Sequence, residues 1–282
     1  MTEKKTLLAV LAHPDDETFG MGGTLALYAR KGVEVHLITA TNGDVGEVDP
    51  NYMKGFKSIA DRRISELKCA AKLLGISELH FLNYRDSGMA GTPDNKNPKA
   101  LAAQPIEKVA AQVAQIIREI KPQVVITFDP IGGYYHPDHI ASHKAAVLGF
   151  KMAADKKFKD NFPPWQASKL YFSIFPHGFL KVAVFLTKLI GKDPAKWGKN
   201  GDIDMESIAK VSYPVHARIN YHEVAQIKDE ASACHASQGG MEMTRGFLGW
   251  FRHTFQSNET FMRDYPRPIR QVMERDLFAG ID

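Results

Sequence analysis

"LLAVLAHPDDETFGMGG", residues 7–23, decides the fold. A smooth apolar run breaks into His13, Pro14, Asp15, Asp16 and Glu17, and Gly20, Gly22 and Gly23 follow at once. A short apolar run bounded by turn residues reads as a strand buried on both faces, as in a parallel sheet. Three consecutive carboxylates at its mouth repel one another unless positive charge sits among them. A metal ion at the strand's end would supply that charge.

Working outward, strand and helix signals alternate. Residues 6–12 form the first strand, and a helix runs from about Met21 to Lys31. Residues 33–39 read as a second strand. Ser58 to Leu74 carries Ile64, Leu67, Ala71 and Leu74 at helical spacing, and Gly75 stops it. A short strand follows at 78–82, then a helix from Pro105 to Ile120 that Pro122 ends, a strand at 123–128 and a helix from near Asp138. This rhythm predicts an α/β fold, a mostly parallel sheet with helices on both faces. Beyond about residue 160 the pattern loosens. Strands at 168–174 and 211–217 and a helix at about 220–236 are expected, separated by a Gly- and Lys-rich stretch at 191–202. With no internal repeat and no low-complexity linker, residues 1–282 read as a single domain with a core at about 5–155 and a C-terminal elaboration at about 160–282.

Composition narrows the function classes. An apolar fraction of 44% and a charged fraction of 24% are those of an ordinary soluble globular protein. The net charge is only +4, and the densest basic piece, Lys156-Lys157-Phe158-Lys159, is flanked by Asp155 and Asp160, so nucleic acid is not the expected partner. Cys69 and Cys234 give neither a disulfide framework nor a Cys-rich zinc pattern, and the apolar stretch at the start is too short for a signal peptide. A reduced, cytoplasmic protein is expected. Residues 179–190, FLKVAVFLTKLI, are apolar but interrupted by Lys181 and Lys188 and far short of the ~20 residues of a spanning helix. They read as an amphipathic helix, for the core or a homo-oligomer interface before a lid or a membrane surface.

The chemistry gathers where the strands end. Strand one leads into His13-Pro14-Asp15-Asp16-Glu17, strand two into residues 42–47 (NGDVGE), strand three into 84–89 (YRDSGM) and strand four into 129–143 (DPIGGYYHPDHIASH). In an open doubly wound sheet, ligands bind beyond the carboxyl ends of the strands, where the order reverses. The order 3-2-1-4-5 makes strands one and four neighbours there, and the two His-Pro-Asp stretches face each other. Two imidazoles and one carboxylate, with a position left for water, match a catalytic zinc site, and iron(II) uses the same set. A spare carboxylate beside the metal serves as general base, so one acid of the Asp15-Asp16 pair binds metal and the other handles the proton. Asp138 also has the place of a helix N-cap. His143 shares a helical face with His139 and reads as a supporting or structural residue, because His13 and an acid already supply ligands. Arg63 is either a substrate contact or a solvated helix charge, and His235 either lines the pocket or is buried structurally. In Gly20-Met21-Gly22-Gly23, Leu25 stands where a dinucleotide fingerprint needs its third glycine; the glycines are expected to let the helix start approach the metal loop closely.

"AHPDDE" paired with "GYYHPDH" resembles the LmbE/PIG-L family of metal-dependent N-deacetylases, which includes the sugar deacetylases of mycothiol and bacillithiol biosynthesis. "RISEL", "RDSGMAGT" and "ACHASQ" add to the likeness, in patches from about residue 5 to 155 and again near 230–240, and "RDSGMAGT" looks closest to the mycothiol branch. The resemblance implies a three-layer Rossmann-like fold and Zn2+ as cofactor, with Fe2+ as the alternative. It makes His13, Asp16 and His139 the metal ligands and Asp15 the general base. His136 would protonate the leaving amine or stabilise the oxyanion, Asp138 would tune His136, and Tyr134 would touch the tetrahedral intermediate. Arg63 and Asp86 would bind substrate. Tyr135 departs from the mycothiol branch, which often has a small residue there. The implied activity is hydrolysis of the N-acetyl group of an N-acetylglucosamine-type glycoside, a small-molecule substrate. An amidase acting on a thiol–sugar conjugate is the alternative, and a catalytically silent, metal-stabilised binding protein a third, against which the extra acid Asp15 argues.

Overall fold

The computed structural model describes residues 4–175, 177–197, 201–241, 257–270 and 272–281. In chain order the elements are β1 (Thr6–Leu11), α1 (Asp16–Arg30), β2 (Glu34–Thr41), α2 (Ile59–Leu74), β3 (Glu78–Tyr84), α3 (Ile106–Ile120), β4 (Val124–Phe128), the single turn α4 (Gly132–Tyr135) and α5 (Pro137–Ala154). They continue with β5 (Lys169–Ile174), α6 (His177–Leu189), α7 (Met205–Lys210), β6 (Ala217–Asn220), α8 (Ala225–Cys234) and β7 (Asn258–Tyr265). The seven strands form one sheet in the order β3-β2-β1-β4-β5-β7-β6. Strands β1 to β5 are parallel, and β7 runs antiparallel between β5 and β6. The expected α/β fold and the adjacency of strands one and four are both present.

All six residues of β1 are buried, because helices cover both faces of the strand. Successive side chains point to opposite faces. Leu8 and Val10 join Val113 and Ile117 of α3 and Ala145, Ala146 and Phe150 of α5. Leu7, Ala9 and Leu11 join Leu25 of α1, Leu67 of α2 and Ala231 of α8 on the other side. The register pairs Leu7–Leu11 with Val35–Thr39 of β2, and Leu7–Val10 with Val124–Thr127 of β4, so the ends of β1 and β4 open into a common crevice.

Several expectations need correction. Helix α1 begins at Asp16 instead of Met21, and Met21 breaks it with φ −150°. The Gly23 and Thr24 amides behind that break donate to Glu259 of β7 (3.1 and 2.7 Å), which also takes Lys228 of α8 at 2.6 Å. A carboxylate at a helix N-terminus satisfies free amides and favours the helix dipole, so the break is capped by the C-terminal part of the chain. Gly23 answers to that part too, since a Cβ on it would stand 2.2 Å from Cγ of Tyr221. One on Gly22 would touch both the Glu17 carbonyl and Lys228 at 3.5 Å, and one on Gly20 would meet nothing within 4 Å. Strand β6 lies at 217–220 and not at 211–217, since α7 reaches Lys210 and Pro214 brings no ladder donor. Strand β7 went unforeseen. Helix α6 covers the amphipathic stretch 179–190, yet Val182, Phe185, Leu186 and Leu189 are exposed. In the Gly- and Lys-rich stretch 191–202, residues 198–200 lie outside the described ones.

Cys69 and Cys234 form a disulfide, with Cα atoms 5.9 Å apart, against the expectation of reduced cysteines. The two lie 165 residues apart in sequence, and only the packing of α8 on α2 brings them together. No helix among the described residues is long and apolar enough to cross a membrane.

Overpacking of this kind costs about 1–3 kcal/mol. Gly23→Ala should therefore destabilise the fold by about that much in a denaturant titration. Adding Tyr221→Ala should recover part of the loss, since neighbouring substitutions couple; strictly additive effects would remove the contact from the account.

Candidate functional site

The three acids of the opening stretch turn to three separate sets of partners. Asp15, just before α1, sits at φ 137°, a left-handed conformation unusual for a residue with a side chain. Arg63 of α2 holds it there. One guanidinium nitrogen, Nη2, donates to Asp15 Oδ2 and to the Pro14 carbonyl, both at 2.9 Å, and Nη1 donates to the Gly43 carbonyl at 3.1 Å. Arg63 is buried, which rules out the solvated-charge reading. Glu17 is fully buried against His235 (Oε1 to Nε2, 2.7 Å), and its other oxygen accepts from the Asp15 amide. Asp16 turns to the histidines.

His13, two residues past β1, and His139, in the first turn of α5, bring Nδ1 and Nε2 to 3.2 Å. Asp16 Oδ1 lies 3.2 Å from His139 Nε2, and Oδ2 lies 3.5 Å from His13 Nδ1. These spacings fit a shared cation, since ligand bonds of ~2.1 Å at tetrahedral angles set donors roughly 3.4 Å apart. The far side of each imidazole is anchored. His13 Nε2 lies 3.1 Å from Asp138 and 3.6 Å from Asp86, and His139 Nδ1 lies 3.1 Å from the Gly132 carbonyl. Such outer partners fix the tautomer that leaves the inner nitrogen free to ligate. The charge balance also asks for a cation. Burial opposes a charge on His13, but Asp138, Asp16 and Asp86 outweigh it and raise the imidazole well above its ordinary pKa. Burial likewise opposes ionisation of Asp16, yet His139 and His13 hold it well below the usual carboxylate range.

His136 is close enough to His13 and His139 for the three imidazoles to share an ion. Its Nδ1, however, accepts the Asp138 amide at 3.2 Å as the N-cap of α5, so a neutral ring carries its proton on Nε2. Burial, with the two neighbouring imidazoles, pushes its pKa down to about 2. The expected Asp138–His136 pairing is replaced. The Asp138 carboxylate stands on His13 Nε2 and accepts from the amide and hydroxyl of Ser87, and only its backbone touches His136.

Asp15 is raised to about 6 by burial, helped by Asp16 and opposed by Arg63. Burial also holds the Tyr134 phenol above its ordinary range, so it keeps its proton. The Tyr134 ring lies 5.0 Å from His139 and 5.8 Å from His136. Tyr135 adopts φ 67° and is exposed, so its bulk does not fill the site. His143 Nδ1 donates to the Phe128 carbonyl, 2.8 Å away, and its ring packs edge-on against Phe172. It is a structural residue, as is His235.

His13, Asp15, Arg63, Asp86, Tyr134 and His136 open onto one cavity of ≈ 630 Å³, within the size range of small-molecule sites. Gly88, Met89 and Thr92 line it from the β3 loop, Asp202 and Ile203 from the loop before α7, and Ala236–Gly239 from beyond α8. Buried Glu66 ties that last wall in place by accepting from the Ser237 amide and hydroxyl at 2.9 and 2.7 Å. Sequence reasoning missed Glu17, Glu66, Ser87 and Ser237. "RISEL" and "ACHASQ" flagged both sides of the Glu66–Ser237 contact without saying that they meet.

Gly132, at φ 63°, lets its carbonyl reach His139; a Cβ there would lie 2.6 Å from that of His139. Gly132→Ala should weaken binding of a divalent cation by ~10–100-fold, the usual cost of a lost outer partner. Unchanged affinity in a zinc titration would detach Gly132 from the site.

Comparison with known proteins places this geometry. A family profile described as PIG-L, GlcNAc-PI de-N-acetylase, matches residues 8–148. A 1D-myo-inositol 2-acetamido-2-deoxy-alpha-D-glucopyranoside deacetylase of Thermobifida fusca is 36% identical over 98% of this chain and 99% of its own. The protein of that name from Geodermatophilus obscurus is 34% identical, over 100% and 99%. Among solved structures, the N,N'-diacetylchitobiose deacetylase of Pyrococcus horikoshii superposes with TM-score 0.63 at 20% identity, covering 93% of this chain and 84% of the other. The 4-carboxy-2-hydroxymuconate hydratase GalB of Pseudomonas putida shares the fold at TM-score 0.61 and 18% identity, over 95% and 99%, so the fold alone does not select the reaction. The match over half the chain and the full-length relatives, together with the paired His-Pro-Asp loops, establish that this chain belongs to the PIG-L family.

Proposed function

We propose that the protein hydrolyses the N-acetyl group of an N-acetylglucosamine-type glycoside, with an inositol aglycone as in the named relatives. One observation carries the reading: a partly buried carboxylate, Asp15, opens onto the same cavity as His13 of the His13–Asp16–His139 tripod but is paired with Arg63 and not with the tripod. A structural metal site has no use for that extra acid.

His13 Nδ1, Asp16 and His139 Nε2 would hold a divalent cation, Zn2+ by donor type or Fe2+ with the same set. When bound, such an ion polarises a carbonyl and makes water acidic enough to ionise near neutral pH. The remaining steps belong to the chain. Asp15 takes the proton of the attacking water as its oxygen bonds to the acetyl carbon. Its pKa of about 6 suits a base at neutral pH. The protonated Tyr134 hydroxyl and His136 Nε2–H donate to the oxyanion that forms. A neutral His136 is a hydrogen-bond donor and not a cationic acid, so of the two roles expected for it, oxyanion stabilisation is the one we adopt. As the C–N bond breaks, Asp15 returns its proton to the leaving nitrogen, giving acetate and the free amine. Asp138 and Asp86 orient His13, and Arg63 positions Asp15 while its guanidinium borders the cavity. Arg63 and Asp86 remain our candidates for holding the sugar, along a wall whose polar groups include Glu47, Asp202 and Gln238.

Asp15→Asn keeps the shape of the side chain and removes the base. The rate constant kcat should fall by ~10²–10⁴-fold with metal content unchanged; wild-type turnover in that variant would overturn the proton path. Replacing His13, Asp16 or His139 by Ala should remove metal and activity together, and full occupancy in Asp16→Ala would strike Asp16 from the ligand set.

The pH profile gives a further check. Asp15 works ionised, so kcat/KM should decline as pH falls through about 6, or lower once a neighbouring cation favours the carboxylate. Asp15→Asn should lose that acidic limb from its residual activity. A panel of N-acetylglucosamine glycosides, free N-acetylglucosamine and a thiol–sugar amide, assayed for acetate and for free amine, separates the deacetylase from the amidase reading.

A further inference from the structure

His36 on β2 meets Glu78 and His80 on β3, at the edge of the sheet away from the cavity. The parallel register sets His36 opposite Glu78 and Ile38 opposite His80. Side chains two apart on a strand share a face, so all three groups stand on one side of the sheet. His36 Nδ1 lies 3.2 Å from His80 Nε2, and Glu78 Oε2 lies 3.6 and 3.9 Å from those two nitrogens. The three donor atoms converge as a tripod of nearly the dimensions found around His13. The imidazole side chains are 10% and 14% exposed, whereas the Glu78 side chain is 59% exposed, so the open side faces water. His36 is the third residue of β2, five positions or roughly 16 Å along the strand from its carboxyl end at Thr41. The cluster is thus at the opposite end of the strands from the crevice where His13 and His139 meet.

We propose that His36, Glu78 and His80 form a second metal site, which takes a borderline divalent cation such as Zn2+, Ni2+ or Cu2+. Two imidazoles and one carboxylate are the donors such ions select, and the hard cations Ca2+ and Mg2+ require oxygen sets that the cluster lacks. Burial lowers both imidazole pKa values, and their mutual repulsion lowers that of His36 further. Both rings are therefore neutral and able to ligate at pH 7. The backbone positions that carry the donors are set before any ion arrives, because each residue sits on a hydrogen-bonded strand. The ion would cross-link the edge strand β3 to β2, and water would complete its coordination. The site stands independently of the reaction assigned to the cavity.

The test uses the full chain, stripped by chelator and dialysed to equilibrium against Zn2+, with metal per chain measured. His80→Gln should bind one equivalent fewer than the wild type and should keep its cavity-bound ion and its deacetylation rate, which also shows that it is folded. His13→Ala, defective in the cavity, should retain one equivalent and lose it when His80→Gln is added. Zinc should raise the melting temperature of His13→Ala and leave that of the double variant unmoved. Should His80→Gln fail to fold, the exposed position gives Glu78→Gln, which should weaken the second equivalent without touching the first. Equal zinc content in the wild type, His80→Gln and Glu78→Gln would overturn the proposal and leave the two imidazoles as a hydrogen-bonded pair.

Discussion

Three adjacent carboxylates cannot share one low-dielectric pocket, and the structure follows from how that repulsion is relieved. Asp15, Asp16 and Glu17 diverge toward Arg63, the paired imidazoles of His13 and His139, and His235. Each partner comes from a different part of the chain. Arg63 belongs to α2, His139 to α5 and His235 to the end of α8, so satisfying three neighbouring charges draws three distant helices to the mouth of β1. A buried charge without its partner is strongly destabilising, so these helices are held in place by the same interactions that build the site.

The C-terminal part is consequently more than an appendage. Glu259 of β7 caps the break in α1, Tyr221 fills the space above Gly23, and Glu66 anchors Ser237 beside the cavity. The Cys69–Cys234 bond joins α2, which carries Arg63, to the end of α8, next to His235. The helix that positions the candidate base is thereby tied to the segment that walls the cavity. Strain at Asp15, with φ 137°, is tolerable because Arg63 and Glu17 fix its side chain and its amide from opposite ends.

The division of labour among similar residues follows from position. Asp15 and Asp16 are neighbours with opposite pKa shifts, the first raised by burial and the second held down by two imidazoles. Groups whose environments push their pKa values apart are those able to take different parts in a reaction. His13 and His136 diverge in the same way. One is surrounded by carboxylates and draws positive charge, and the other is crowded by imidazoles and stays neutral.

Much of this was legible along the chain. The buried strand before His13, the alternation that makes a parallel sheet, and the placing of both His-Pro-Asp stretches at one crevice follow from local pattern and from the fixed topology of doubly wound sheets. The donor types and the spare acid by themselves point to a metal-assisted hydrolase. Tertiary structure alone decided who partners whom. No local pattern places Asp138 on His13 instead of His136, Glu17 on His235, or Cys69 against Cys234, since each contact joins segments from 125 to 218 residues apart. Antiparallel β7 was invisible for the same reason, because a strand's neighbours are set by packing of the whole sheet. Side-chain type records which chemistry a residue offers; only the folded chain fixes which charge it faces.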